Sequence, residues 1–272
     1  MNSSEPWQLS EKQGLNKGEK EVCRILADRR RSFTEVARSI PASGWDMRSR
    51  CAAWSIHEVV RHVRDVTLIS VARLEQKGHP FGTTQFDPRT SPAEWMRQSD
   101  GEKPQDTLDD LELLFLREED LFARWADAGS PAVVSGPLRR KVHWSVVSIH
   151  ILWDCWMHER DICIPLGISR AQSEDELRLM VMYSLMAASA PAAWTHDYVD
   201  VALGLAGSPD GTYEVSHSSD DVYVHAGGSA QLHGPMEAVV DSLAGRGPEL
   251  GKVLGGSGDA VRKLALLRAL TT

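Results

Sequence analysis

The sequence predicts an α+β protein, with an up-and-down helical bundle in its first part and a small α/β domain in its second. Two observations predict it. Before Pro191, apolar residues recur at helical spacing in five stretches; after Pro191 the chain breaks into short alternating segments separated by Gly, Asp, Ser and Pro. The bounds that follow are an N-terminal extension over 1–18, the bundle over 19–190 and the α/β domain over 191–272. A chain of 272 residues has room for this division, at roughly 150 residues per domain.

The first helix is expected over 19–40, with Val22, Ile25, Leu26, Phe33, Val36 and Ala37 on one face, and Pro41-Ala42-Ser43-Gly44 ends it. The second opens at Ser55-Ile56-His57-Glu58, a capping box in which the serine caps and the glutamate reaches back. Its apolar face, from Ile56 through Val59, Val60, Val63 and Ile69, runs to about Leu74. Residues 78–104 are rich in Gly, Pro, Ser, Thr and Asp and predict a long loop with one turn at 92–97. Loops of that length inside a compact domain are often functional. Thr107-x-x-Asp110 marks the expected start of a third helix; the fourth, over 143–166, is apolar around most of its circumference and should be the most buried. Ser173-x-x-Glu176 caps a fifth, ending near Ala190. Strands are expected over 199–205, 212–217, 222–225 and 230–232, and two helices over 236–244 and 260–270.

Charge excludes two classes of partner. Thirty Lys and Arg against 38 Asp and Glu leave a formal charge of −8, which argues against a nucleic-acid binder, whose affinity rests on neutralising phosphates. The same balance gains nothing from an anionic membrane surface, and the weakly polar stretch 179–194 falls short of the ~20 apolar residues of a membrane span. Arg29-Arg30-Arg31 reads as a solvated helix face. The first residues carry no basic segment followed by an apolar core, and the four cysteines form no C-x-x-C pair. A cytoplasmic protein with reduced thiols is the expectation.

Chemistry concentrates on the fourth helix, where His150, Asp154 and His158 stand four residues apart on one face. The two histidines are roughly 12 Å apart along the axis, so one ion takes either His150/Asp154 or Asp154/His158. A third ligand must come from a facing helix, and His62, two turns into the second helix, is the leading candidate. His57 lies about 140° around that helix from His62 and should face elsewhere. Cys155 and Cys163 read as core thiols, and Trp153 and Trp156 as core rings.

Two segments carry a resemblance. Pro41-x-x-Gly44-Trp45-Asp46 with Cys51-x-x-Trp54-Ser55-x-x-Glu58-Val59-Val60-x-His62, and Asp154-x-x-x-His158-x-x-Asp161 before Leu166-Gly167, resemble the motifs of the mycothiol-dependent maleylpyruvate isomerase family. That family belongs to the DinB-like metal-binding four-helix bundles and includes mycothiol S-transferases. Gly245-Arg246 and Gly258-Asp259 are similar to its α/β C-terminal domain. The resemblance implies a DinB-like bundle with His62, Asp154 and His158 as metal ligands, although the family usually has glutamate where this chain has Asp154. It further implies that the thiol co-substrate is mycothiol, and that Arg246 serves near a carboxylate of the thiol or the substrate.

Two histidines and a carboxylate leave open coordination positions. Zinc is the default divalent metal, with iron(II), nickel and manganese also compatible. A thiol entering an open position loses its proton and becomes a nucleophile. Asp161, one turn beyond His158 and a candidate catalytic residue, is expected to orient a ligand imidazole or the contact of the bundle with the C-terminal domain, or else to pair with Arg160 or Arg139. The implied partners are a small thiol and an electrophilic small molecule. Phe81, Phe86, Asp87, Arg89 and Trp95 of the long loop offer the mixture that walls a bulky polar acceptor, or that packs a surface loop. The expected reaction is S-transfer, with a lincosamide-type natural product among the acceptors. Isomerisation of the maleylpyruvate type is the alternative, and a non-catalytic ligand-binding bundle is a third reading.

Overall fold

The computed structural model describes residues 18–82, 90–136, 141–170, 173–194, 201–206, 211–218, 221–226 and 229–264. They form two compact units, one ending at Arg170 and the other holding what is described from Ser173 onward.

The first unit is built on α1 (Glu19–Ser39), α2 (Ile56–Leu74), the short α3 (Ser91–Met96), α4 (Pro104–Asp127) and α5 (Trp144–Cys163). The contacts α1·α4, α4·α2, α2·α5 and α5·α1 close a ring of four helices. Periodicity explains the core inside it: Phe33 and Val36 of α1, Ile56, Val59 and Val63 of α2, Leu111 and Phe115 of α4, and Cys155 and Ile162 of α5 pack together. The capping box of α2 forms as the sequence predicts, with Ser55 Oγ accepting from Glu58 N–H and Glu58 accepting from Ser55 N–H. Helix α5 is buried along nearly its whole length.

Four differences from expectation have physical causes. Helix α4 starts one turn before Thr107, because Pro104 at its first turn has φ preset for a helix and lacks only an N–H that would go unbonded there. Between α4 and α5 the chain forms a hairpin, β1 (Val133–Ser135) antiparallel to β2 (Lys141–His143), too short to show a sequence period. Of the arginine run only Arg31 is solvated. Arg29 is buried and donates to Glu159 of α5 at 2.6 Å, and Arg30 is buried against Glu118 of α4 at 2.8 Å. Their partners lie far along the chain, which a local reading cannot see. Finally, α6 (Glu174–Trp194) packs on elements of the second unit, so the division falls near 170 rather than 190.

The second unit has a sheet of β3 (Val201–Ala206), β4 (Thr212–Ser218), β5 (Asp221–Ala226), β6 (Leu232–Pro235) and β7 (Gly255–Gly256), with α7 (Met236–Leu243), α8 (Leu250–Val253) and α9 (Gly258–Leu264). The strand order is β5-β4-β3-β6-β7, with β3 and β6 parallel and the other neighbours antiparallel. Helix α6 contacts α7, β4 and β5. Gly204 is required where β3 meets β6: a Cβ there would lie 2.7 Å from the ring of His233.

Candidate metal centre

Packing of α2 against α5 brings His62 over Asp154 and His158. The four-residue spacing stacks the latter two on one face of α5. His158 Nε2 lies 3.5 Å and His62 Nε2 3.9 Å from one atom, Asp154 Oδ1. Donor atoms of all three fall within 4.8 Å of one another. Oxygen and nitrogen ligands about 2.0–2.1 Å from a tetrahedral ion stand roughly 3.4 Å apart, so this spacing suits a shared cation better than direct hydrogen bonds. His62 Nε2 lies 3.9 Å from Asp154 Oδ1, beyond hydrogen-bond distance, so a cation would fit between them. Its Nδ1 is buried without a hydrogen-bond partner among the described residues, and a cation at Nε2 would leave that atom as it is.

His62 and His158 are buried, and the Asp154 side chain, 13% exposed, is nearly so. Burial would raise the Asp154 carboxyl, but the neighbouring His158, with His62 adding, holds it well below the usual range. Burial would lower His158, but Asp154, Asp161 and Cys51 carry it well above the ordinary histidine value. Burial dominates at His62 and lowers it despite Asp154. These directions favour charge on Asp154 and His158 over charge on His62. A divalent ion bound there would compete with protons for the same ligand atoms.

A second set, Cys51, His158 and Asp161, also brings metal-binding atoms together. Its distances are those of hydrogen bonds. Cys51 Sγ donates to Asp161 Oδ2 at 3.0 Å, and His158 Nδ1 lies 3.0 Å from the same oxygen. A tetrahedral site with a thiolate at about 2.3 Å would hold sulfur and oxygen roughly 3.5 Å apart. The two sets use opposite nitrogens of one imidazole, with Nε2 facing Asp154 and Nδ1 facing Asp161.

The remaining candidates of the first unit lie outside this cluster. His150 lies in neither set; it stacks on Trp153 with ring centres 6.1 Å apart, and burial pushes it down to about 4. His57 faces away, edge-on to Trp45 and 3.1 Å from Thr107 Oγ1. Cys155 and Cys163 are buried, and burial pushes their thiols up to about 12 and about 11. Trp153 and Trp156 are core. Arg246 belongs to the second unit, in the turn after α7, where its guanidinium donates to Ala244 C=O at 3.0 Å. Of the loop residues, Trp95 is buried and stacks on Phe81 with ring centres 5.2 Å apart, so it packs α3 inward. Phe86, Asp87, Arg89 and Arg139 lie outside the described residues.

Two neighbours of the cluster escaped functional assignment from sequence. The Trp54 ring lies 4.8 Å from that of His62 and 6.2 Å from that of His158. Cys51 stands behind His158. Both precede the capping box of α2 within the motif that ends at His62, and that proximity was the available signal.

Residues 26–163 match the family model of the mycothiol maleylpyruvate isomerase N-terminal domain, just over half of the chain. The chain belongs to this family. Membership makes it one of a family of enzymes. No curated protein gives a significant match. Among solved structures, a mutant form of the mycothiol-dependent maleylpyruvate isomerase aligns with a TM-score of 0.62 at 14% identity, over 89% of this chain and 94% of that one. A second structure of the mycothiol-dependent maleylpyruvate isomerase gives 0.61 at 14%, over 85% and 91%. At that identity the likeness is one of fold, the fold of the family. Among the described residues no helix is long and apolar enough to cross a membrane.

Proposed function

We propose that this member of the family is a metal-dependent enzyme that activates mycothiol as a nucleophile, with His62, Asp154 and His158 holding a divalent ion, zinc by default. The carrying observation is the convergence of two imidazole Nε2 atoms on Asp154 Oδ1 at 3.5 and 3.9 Å. A divalent ion held there supplies the Lewis acidity that keeps a coordinated thiol deprotonated near neutral pH. Asp161 accepts from His158 Nδ1–H and so presents the Nε2 lone pair toward Asp154. The Trp54 ring lies against that of His62, with centres 4.8 Å apart. Arg246 is assigned to a carboxylate of the thiol or the acceptor, on its match to the family pattern.

The reaction we propose is S-transfer to an electrophilic carbon of a polar small molecule, a sugar-bearing lincosamide-type product among the candidates. It is supported by the length of the 78–104 segment; Asp154, one methylene shorter than the family's usual glutamate, favours instead the reading of a non-catalytic ligand-binding bundle. The family name favours a second reading, thiol-assisted isomerisation of a maleylpyruvate-type diacid. Mass spectrometry of enzyme, mycothiol and candidate electrophiles separates them. Stable adducts or exchanged thioethers support transfer; turnover of maleylpyruvate with the thiol recovered unchanged overturns it.

A further inference from the structure

We infer that Cys51 is a positioning residue for His158, acting through Asp161; this rests on the reading that His158 presents Nε2 to a metal. Three distances define the relay. The Cys51 thiol donates to Asp161 Oδ2 at 3.0 Å, that oxygen lies 3.0 Å from His158 Nδ1, and the sulfur is 3.9 Å from the same nitrogen. With Nε2 given to an ion, Nδ1 carries the proton and donates it, so two donors converge on one carboxylate oxygen. Asp161 is fully buried and Cys51 nearly so.

The main chain strengthens the link, because Arg50 N–H donates to the Asp161 carbonyl at 3.2 Å. The turn before α2 therefore grips Asp161 by backbone and side chain. The same turn leads into the Ser55 cap and on to His62. Helix α2 carries one proposed ligand and α5 the other two, and Cys51 ties the start of the first to the carboxylate behind the second.

A thiol suits this position on two grounds. It belongs to the buried apolar core of the bundle, where a thiol is cheaper to bury than a hydroxyl. It is also a weak donor, so it orients Asp161 while leaving most of the carboxylate's charge for the imidazole.

The test uses the full-length protein loaded with cobalt(II), comparing wild type, Cys51→Ala and Cys51→Ser. Affinity is measured against a competing chelator, and the hydrogen-bonded His158 Nδ1–H is followed by its downfield proton resonance. We expect Cys51→Ala to weaken cobalt binding about tenfold, the low end for groups standing behind a metal ligand, and to shift or broaden that resonance. Cys51→Ser restores a donor and should recover the resonance and most of the affinity. A thiolate-to-cobalt charge-transfer band that disappears in Cys51→Ala would overturn the inference by making Cys51 a ligand. Wild-type affinity with an unmoved resonance in Cys51→Ala, or no rescue by serine, would reduce Cys51 to packing. If His62→Ala and His158→Ala bind cobalt as wild type does, the metal reading fails and takes the inference with it.

Discussion

His158 and Asp161 are joined at 3.0 Å through Nδ1 and Oδ2, three residues apart on α5, so one turn of helix holds both an imidazole and the carboxylate behind it. The carboxylate is fully buried, so protein donors must satisfy it in place of water. Removing it should cost affinity without removing a ligand. We expect Asp161→Ala to weaken divalent-metal binding about 10- to 100-fold, and Asp161→Asn, which keeps an acceptor but loses the charge, to fall between it and wild type. Chelator competition measures both; equal affinity in all three proteins contradicts the arrangement.

The ligand set is tested by deletion. His62→Ala and His158→Ala should each weaken metal binding by more than about 100-fold, since two remaining donors chelate poorly. His57→Ala and His150→Ala should leave stoichiometry unchanged, because both rings lie outside the cluster. Elemental analysis of untagged protein reads the result, and metal retained in His158→Ala but lost in His150→Ala would reverse the assignment.

Stability should depend on the buried pair between α1 and α4. Arg30 and Glu118 are 4% and 1% exposed and 2.8 Å apart. Glu118→Ala strands a buried guanidinium and should cost about 3–5 kcal/mol in urea unfolding, whereas the double variant Arg30→Met/Glu118→Leu should be near neutral. The Arg31–Glu119 pair, 3.5 Å apart with both side chains largely exposed, should be worth less than about 1 kcal/mol. Equal losses at the two sites would mean that burial is not what matters.

Acid sensitivity should trace in part to His150. Its folded value is about 4 against an ordinary 6.5, because burial opposes the charged ring. The unfolded chain therefore takes up a proton before the folded one does. Stability from the neutral ring is complete above pH 6.5 and is lost as pH falls from 6.5 through about 4. His150→Gln has nothing to titrate there, so the melting temperature of its metal-free form should fall less over that window than wild type's. Parallel declines would show that His150 does not contribute.

Much of the bundle was legible locally. The periods of α1 and α2 and the Ser55–Glu58 box depend only on neighbours within one helical turn, and the structure shows them where the sequence puts them. The pair Asp154/His158 was legible as one of two options, since helical geometry places His150, Asp154 and His158 on one face without choosing between them. The choice lies with α2: His62 meets the C-terminal pair, and His150 turns to Trp153. The hairpin β1–β2 was not legible, because three-residue strands carry too few alternations to register as a period.

By itself the sequence determined which residues can form helices, which faces of those helices are apolar, and which side chains offer metal-binding atoms. Each of these is set by spacing within one element. Tertiary structure alone decided that Arg29 and Arg30 are buried counter-charges rather than a solvated face, and that α6 packs on elements of the sheet unit. It alone put Cys51 behind Asp161. These outcomes depend on partners far away in the chain, Glu159 for Arg29, Glu118 for Arg30 and Asp161 for Cys51. The energy of burying a charge or a thiol is set by the group across the interface, which no local pattern encodes.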